Sequence, residues 1–251
     1  MKKQNLLFIP LILSMGMGLL SCDFGNVGNS QTFQNTPAVV CWKMDMGGTA
    51  LGTPFGYLAA PSILDVYEGD CIFISQFTID YDNQPSDNYY TISNVLKEKV
   101  DEARFIERNS IELDDYTLPI SNVGGMVDEF FIGRFFAWIS CKDKNPSLRL
   151  LYNPTEEETD GVKNFYLQAK PSSSTESASE VSTIQVFNLL NFVQQNGSDT
   201  TKTFKNFEEK FDFKFVKANL KYVSKITDGE PEYKSLNSSD KPIEIYVFKN
   251  Q

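Results

Sequence analysis

From Pro37 onward the chain is a succession of short apolar or alternating runs, each closed by glycine, proline or asparagine. Runs near 38–44, 54–60, 70–79 and 88–95 are separated by Gly47-Gly48, Pro61-Ser62, Glu68-Gly69 and Asn83-Gln84-Pro85. That period and punctuation are those of half-buried β-strands. A second set lies at 129–141, 147–152, 163–169, 211–224 and 243–249. Spacing this regular, in runs rich in Phe, Tyr, Val and Ile, predicts an antiparallel sandwich or barrel rather than a βαβ fold. Residues 91–105 fit two readings. Leu96, Val100, Ala103 and Ile106 recur at helical spacing behind Ser93 and Asn94, and the same stretch also reads as a strand with a bulge. One helix is predicted over 183–195: Ser182-Thr183-Ile184-Gln185 makes a capping box, Val186, Leu189, Leu190 and Val193 follow, and Asn196-Gly197 is a stop signal. Pro171 to Ser182 is serine-rich and forms a long connection between strands.

The polar intervals divide the chain. Lys2 and Lys3 precede an apolar stretch from Leu6 to Leu20, which ends in Leu19-Leu20-Ser21-Cys22. This is the n-region, h-region and cleavage site of a secretory signal, with the cysteine placed as in a bacterial lipobox. The h-region is too short to span a bilayer. The Cys22 thiol would take a diacylglycerol, and several acyl chains, at about 0.8 kcal/mol per buried methylene, hold a protein on a membrane. Asp23 to Thr36 is Gly, Asn, Ser, Gln and Thr with little apolar content and reads as a flexible tether. The interval 108–128, with Asp114, Asp115, Pro119 and Gly124-Gly125, is the least apolar between the two strand sets. The expected division is therefore a signal peptide over 1–21, a lipidated tether over 22–36, a small barrel over 37–122 and a sandwich over 123–251.

This layout resembles that of the NigD-like lipoproteins of gut Bacteroidota. The second half carries Tyr152-Asn153-Pro154-Thr155-Glu156-Glu157-Glu158-Thr159-Asp160-Gly161, followed by the strand Val162 to Lys170. The resemblance implies an OB-like β-barrel domain ahead of a C-terminal β-sandwich, and implies no enzymatic activity.

Composition narrows the chemistry. There is no histidine in 251 residues, which removes serine–histidine–acid triads, cysteine–histidine dyads, HExxH zinc helices and imidazole acid–base catalysis. A carboxylate pair, a serine–lysine pair, an oxygen-ligand metal site or no catalysis remains. The net charge is −10, and loss of Lys2 and Lys3 with the signal makes it two units more negative. Nucleic acid is then an unsuitable partner, and the acyl chains are the membrane contact. Cys41, Cys71 and Cys141 each sit inside an apolar strand-like run, with none at CxxC spacing. Three buried thiols, or one disulfide and a thiol, both fit.

Few residues are candidates for chemistry. Asp80, Asp82 and Asp87 cluster in one loop as a calcium site requires, but the EF-hand pattern needs glycine and glutamate where Pro85 and Thr91 stand. A solvated acidic turn is the reading there and at Glu156 to Asp160, and no metal or cofactor is expected. Glu129, ahead of Phe130-Phe131, is the carboxylate most closely flanked by large apolar groups, and one carboxylate makes no glycosidase pair. Among 20 Phe, 11 Tyr and 2 Trp, the residues placed to meet a ligand are Trp42, Tyr57, Tyr89, Tyr90 and Trp138. The expectation is a monomeric, non-catalytic binding protein, lipid-anchored at the outer membrane and facing the periplasm or the outside. Its partner would be a glycan or an envelope protein. Two alternatives stand beside it: an anchored pilus-like subunit that accepts a donor strand, and a glycan-capture lipoprotein beside an importer.

Overall fold

The computed structural model describes residues 29–43, 48–85, 89–172, 179–203, 210–237 and 241–249. Five strands come first: β1 (Ser30–Lys43), β2 (Gly48–Thr53), β3 (Gly56–Ala59), β4 (Cys71–Asp80) and β5 (Tyr90–Lys99). They close into a barrel in the order β1-β2-β3-β5-β4, with β3 and β5 parallel and the other pairs antiparallel. This is the OB-like arrangement. The β2–β3 hairpin turns because Gly56 takes a φ of 113°, and the Thr53 hydroxyl donates to the Gly56 carbonyl at 2.8 Å.

The remaining strands are β6 (Glu102–Glu107), β7 (Ile120–Met126), β8 (Arg134–Cys141), β9 (Ser147–Tyr152), β10 (Val162–Lys170) and β11 (Val181–Asn188), then, after helix α1 (Leu190–Asn196), β12 (Ser198–Thr203), β13 (Lys210–Thr227), β14 (Glu230–Ser235) and β15 (Ile243–Phe248). They form one ten-stranded sheet in the order β12-β13-β10-β9-β6-β11-β8-β7, with β14 and β15 on β13. The sheet curls over a single core. Ile120, Val123, Phe135, Ile139, Leu150, Phe165, Leu167, Phe187, Val216, Leu220 and Val247 meet inside it. It is mixed rather than purely antiparallel, since β6 runs parallel to β9 and β11, and β10 runs parallel to β13.

Several elements differ from the sequence-based expectation. Residues 30–36, placed in the tether, are the first half of β1 and pair with β4 from Ser30↔Asp80 to Thr36↔Ile74. A ladder of backbone hydrogen bonds is indifferent to polar side chains, and Phe33 stacks on Phe77 at 5.0 Å to hold the run in place. The two readings of 91–105 resolve as two strands, β5 and β6, broken at Val100 and Asp101. Leu96 is exposed while Val100 is buried, so the helical spacing has no common face. The helix expected over 183–195 starts late. Val181 to Asn188 are strand β11, paired residue for residue with β8, and only Leu190–Asn196 is helical. β-branched and aromatic residues at 181, 184, 186 and 187 override the capping-box pattern. The expected boundary between 122 and 123 falls inside β7, and β6 already belongs to the second sheet. The barrel therefore ends at Lys99. Cys22 and Asp87 lie outside the described residues.

Barrel and sheet are joined by the run from Asp128 to Gly133. Asp128 caps a one-turn 3-10 helix (Glu129–Phe131) by accepting from the Phe130 N–H, and Ile132 and Gly133 follow with φ of 50° and 73°. Phe130 packs edge-on against Tyr57 at 5.3 Å, in a cluster with Cys41 and Ala50 of the barrel and Phe213 and Tyr246 of the sheet. Phe131 goes the other way, among Val39, Cys71, Val100, Phe136 and Val186. Both rings are fully buried. Truncating Phe130 to alanine should cost about 3–5 kcal/mol, as for buried aromatics generally, and should lower the stability of barrel and sheet together. Urea unfolding followed separately by Trp42 and Trp138 fluorescence, through the variants that keep one tryptophan, checks this. Loss confined to one of the two probes would contradict the coupling.

Candidate functional site

The five aromatics singled out by sequence do not converge. Trp42 lies near the end of β1 and is 58% exposed, paired with Thr49. Tyr57 is only 2% exposed and sits under Phe130 at the junction, with the Lys43 ammonium 4.3 Å above its ring. Tyr89 and Tyr90 are half-buried at the start of β5, and Tyr90 meets Tyr81 edge-on at 5.5 Å. Trp138 is half-buried on β8 and contacts Phe73 of the barrel at 6.2 Å.

The carboxylates are engaged by their own turns. Asp80 accepts from the Asp82 N–H at 3.1 Å and from the Asn83 amide at 2.6 Å, and Asp82 accepts from the Asn29 N–H at 3.0 Å. These are the bonds of an Asx turn. Among the described residues no group of three His, Cys, Asp or Glu side chains could hold a metal ion. Glu129 is 6% exposed at the junction. Cys41, Cys71 and Cys141 are buried thiols outside any disulfide, and burial pushes the Cys71 and Cys141 thiols up, away from the reactive thiolate.

The acidic run Glu156 to Asp160 is largely exposed, as a solvated turn would be, but two of its side chains reach back to the sheet. Glu156 accepts from the Asn164 amide at 2.7 Å and from the Tyr166 hydroxyl at 2.8 Å, and Glu158 pairs with Lys163 and accepts from the Tyr152 hydroxyl at 2.9 Å. The Lys163 hydrogen bond holds the Glu158 carboxyl below the usual carboxylate range. On the same sheet Arg149, 4% exposed, donates to Gln168 and Asp114 at 2.8 Å and to the carbonyls of Glu112 and Leu113 at 2.7 and 2.9 Å. It stacks over Tyr116 at 3.9 Å. This guanidinium straps the polar loop after β6 onto the sheet.

The open concavity lies between β6 and α1, a groove of about 500 Å³ lined by Glu102 to Glu107, Asn188, Asn191, Phe192 and Gln195. Asn188 is fixed: its side-chain oxygen accepts from Arg134 at 2.9 Å and from the Leu190 N–H at 3.2 Å. Asn191 and Gln195 are exposed on the helix. Phe105 and Phe192 close the floor, packed edge to face at 5.1 Å. Sequence reasoning missed this site. Its trace was the carboxamide density from Gln185 to Asn196, six Asn or Gln in twelve residues, which was read as helix and stop signal. A second hollow of about 230 Å³ is lined by the Glu158 and Lys163 pair with Lys217 and Ser198.

No family model matches the chain, and no curated protein matches it. Solved structures do. An uncharacterized protein from Parabacteroides merdae superposes with a TM-score of 0.60 at 12% identity, over 87% of this chain and 100% of that one. A protein of unknown function from Bacteroides vulgatus gives 0.52 at 15% identity, over 83% and 91%. A NigD-like immunity protein from Bacteroides caccae gives 0.45 at 11%, over 88% and 98%. At these identities the likeness is one of fold, carried by the first two. The third belongs to the family that the sequence resembles. No helix among the described residues is long and apolar enough to cross a membrane.

The Glu158 and Lys163 pair has a definite pH signature. A carboxyl depressed on folding contributes stability above its unfolded value of 4.5, and the contribution is lost as pH falls through the lower folded value. Glu158→Gln should therefore lower the thermal midpoint at pH 7, with the gap closing as the pH is taken towards 3. A gap constant across this window would assign the pair no role in stability.

Proposed function

We propose that this protein is a non-catalytic binding protein of the bacterial cell envelope, held on the outer membrane by acylated Cys22 and presenting the groove between β6 and α1. The groove carries the binding reading. Its helix wall is built from carboxamides, which donate and accept hydrogen bonds and neither ionise nor attack. Its two carboxylates, Glu102 and Glu107, are five residues apart on one strand. At about 3.3 Å per residue that is about 17 Å, well beyond the 5–10 Å that acid–base pairs of glycosidases span. The signal-like run ending in Leu19-Leu20-Ser21-Cys22 supports the anchor, and the absence of histidine from the whole chain supports the lack of turnover.

Fractionation of cells carrying Cys22→Ala tests the anchor. The variant should appear in the soluble fraction, and retention on membranes through a carbonate wash would overturn the lipid-anchored reading. Protease added to intact cells then decides the facing side. For the purified chain without its signal, steady-state turnover of glycans, peptides or esters that survives repurification and disappears in Glu129→Gln, Asp80→Asn or Asp82→Asn would overturn the non-catalytic reading.

A further inference from the structure

The groove has a feature that its side chains do not supply. Strand β6 pairs with β11 only at Glu102 and Ala103, and with β9 from Arg104 to Glu107. Beyond Ala103 its other edge meets no strand among the described residues, because β11 stops at Asn188 and the chain turns into α1. Backbone groups of a strand point alternately to its two edges. The Asp101 carbonyl accepts from Val186 on the β11 side, and the Arg108 N–H donates to Tyr152 on the β9 side. By that alternation the backbone N–H and C=O groups of Phe105 and Glu107 point into the groove. Facing them across it are Asn191 and Gln195, whose carboxamides have the donor and acceptor chemistry of a peptide group.

We infer that the open edge of β6 is a strand-addition site, which takes an extended peptide segment bearing a basic residue between β6 and α1. This rests on the binding reading and names its ligand class. Strand addition draws its affinity from main-chain hydrogen bonds, and an unpaired edge is a template for it. Volume agrees: about 500 Å³ lies within the roughly 300–1,000 Å³ of ligand sites. Charge agrees as well. Glu102 and Glu107 stand at the two ends of the edge, and the lining sets these two carboxylates against one cation, Arg104. A glycan fits less well, because the two rings of the groove are packed on each other edge to face at 5.1 Å and on Phe165 beneath at 5.8 and 5.5 Å. Neither offers a flat face for a sugar to stack on.

The test uses the chain without its signal and three synthetic hexapeptides: one alternating lysine with threonine and valine, one with glutamate in place of lysine, and one lysine peptide N-methylated along its backbone. The lysine peptide should bind saturably in fluorescence anisotropy and slow amide exchange at Phe105 and Glu107. The glutamate peptide should bind about tenfold more weakly or worse, and the N-methylated peptide should not bind. Glu102→Gln with Glu107→Gln should weaken the lysine peptide about tenfold. Asn191→Trp, on the exposed face of α1, should abolish binding with the circular dichroism spectrum unchanged. Protection elsewhere than β6, equal binding of the N-methylated peptide, or Asn191→Trp-sensitive binding of a glycan instead would overturn the inference. Those outcomes leave the anchored, non-catalytic reading standing, because it fails only on Cys22→Ala retention or on turnover.

Discussion

The union of barrel and sheet depends on two phenylalanines that enter different clusters from one turn of 3-10 helix. Phe130 and Phe131 are consecutive in that turn, and each ring enters a different cluster between the outward face of the barrel wall and the sheet. Ile132 and Gly133, both at positive φ, then lead the chain out of the turn into β8. A side chain at Gly133 would meet the Leu190 Cα and a Val247 methyl at 2.8 Å, so glycine is required there for space as well as for conformation. The barrel answers with its own glycine. A Cβ on Gly52 would stand 2.3 Å from the Phe130 carbonyl oxygen, which means that β2 approaches the turn backbone to backbone.

That wedge explains the unusual apolar density of the barrel wall. In a barrel with one dry side, apolar and polar residues alternate. Here Ala38, Val40, Leu51, Leu58 and Ile72 fill the barrel, while their neighbours Val39, Cys41, Ala50, Tyr57 and Cys71 are buried against the sheet. The runs 38–41, 50–51, 57–58 and 71–72 are continuous because both faces are dry. The apparent core cysteines belong to the same logic: Cys41 and Cys71 are small apolar residues on the outward face of a covered wall, and Cys141 plays that part inside the curled sheet.

Most strands were legible in the sequence because period two is visible wherever one face is wet. The β9 run at 147–152 is bounded as its pattern predicts, and β10, β13 and β15 agree to within a few residues. Failures fall where a partner outside the window decides the structure. Ser30 to Thr36 has almost no apolar content and is ordered by the β4 ladder. Ser182 to Gln185 has the residues of a capping box but is held extended by β8, its partner more than forty residues away. The charge run Glu156 to Asp160 is largely exposed, and what its sequence does not show is the pairing of Glu156 with Asn164 and Tyr166 and of Glu158 with Tyr152 and Lys163, residues of β9 and β10. The candidate site was hidden for the same reason. Two aromatic residues placed to meet a ligand, Tyr57 and Trp138, pack at the junction, and the groove is made by carboxamides and by a strand edge that no described strand pairs, neither of which has a period.

The groove and the wedge are not independent. The Gly133 carbonyl accepts from the Leu189 N–H at 2.7 Å, and the Gly133 N–H donates to the Tyr246 carbonyl at 2.6 Å. The first of these bonds pins the chain where β11 ends, and Asn188 completes the stop by accepting from Leu190 and from Arg134 beside the wedge. Once β11 is stopped there, it cannot continue along β6, and α1 must cross above the gap with Phe192 and Val193 turned into the core. The edge of β6 that the described strands leave open is thus a geometric consequence of seating Phe130 and Phe131. Closing it by extending β11 would pull Leu189 away from Gly133 and release the turn that holds barrel and sheet together.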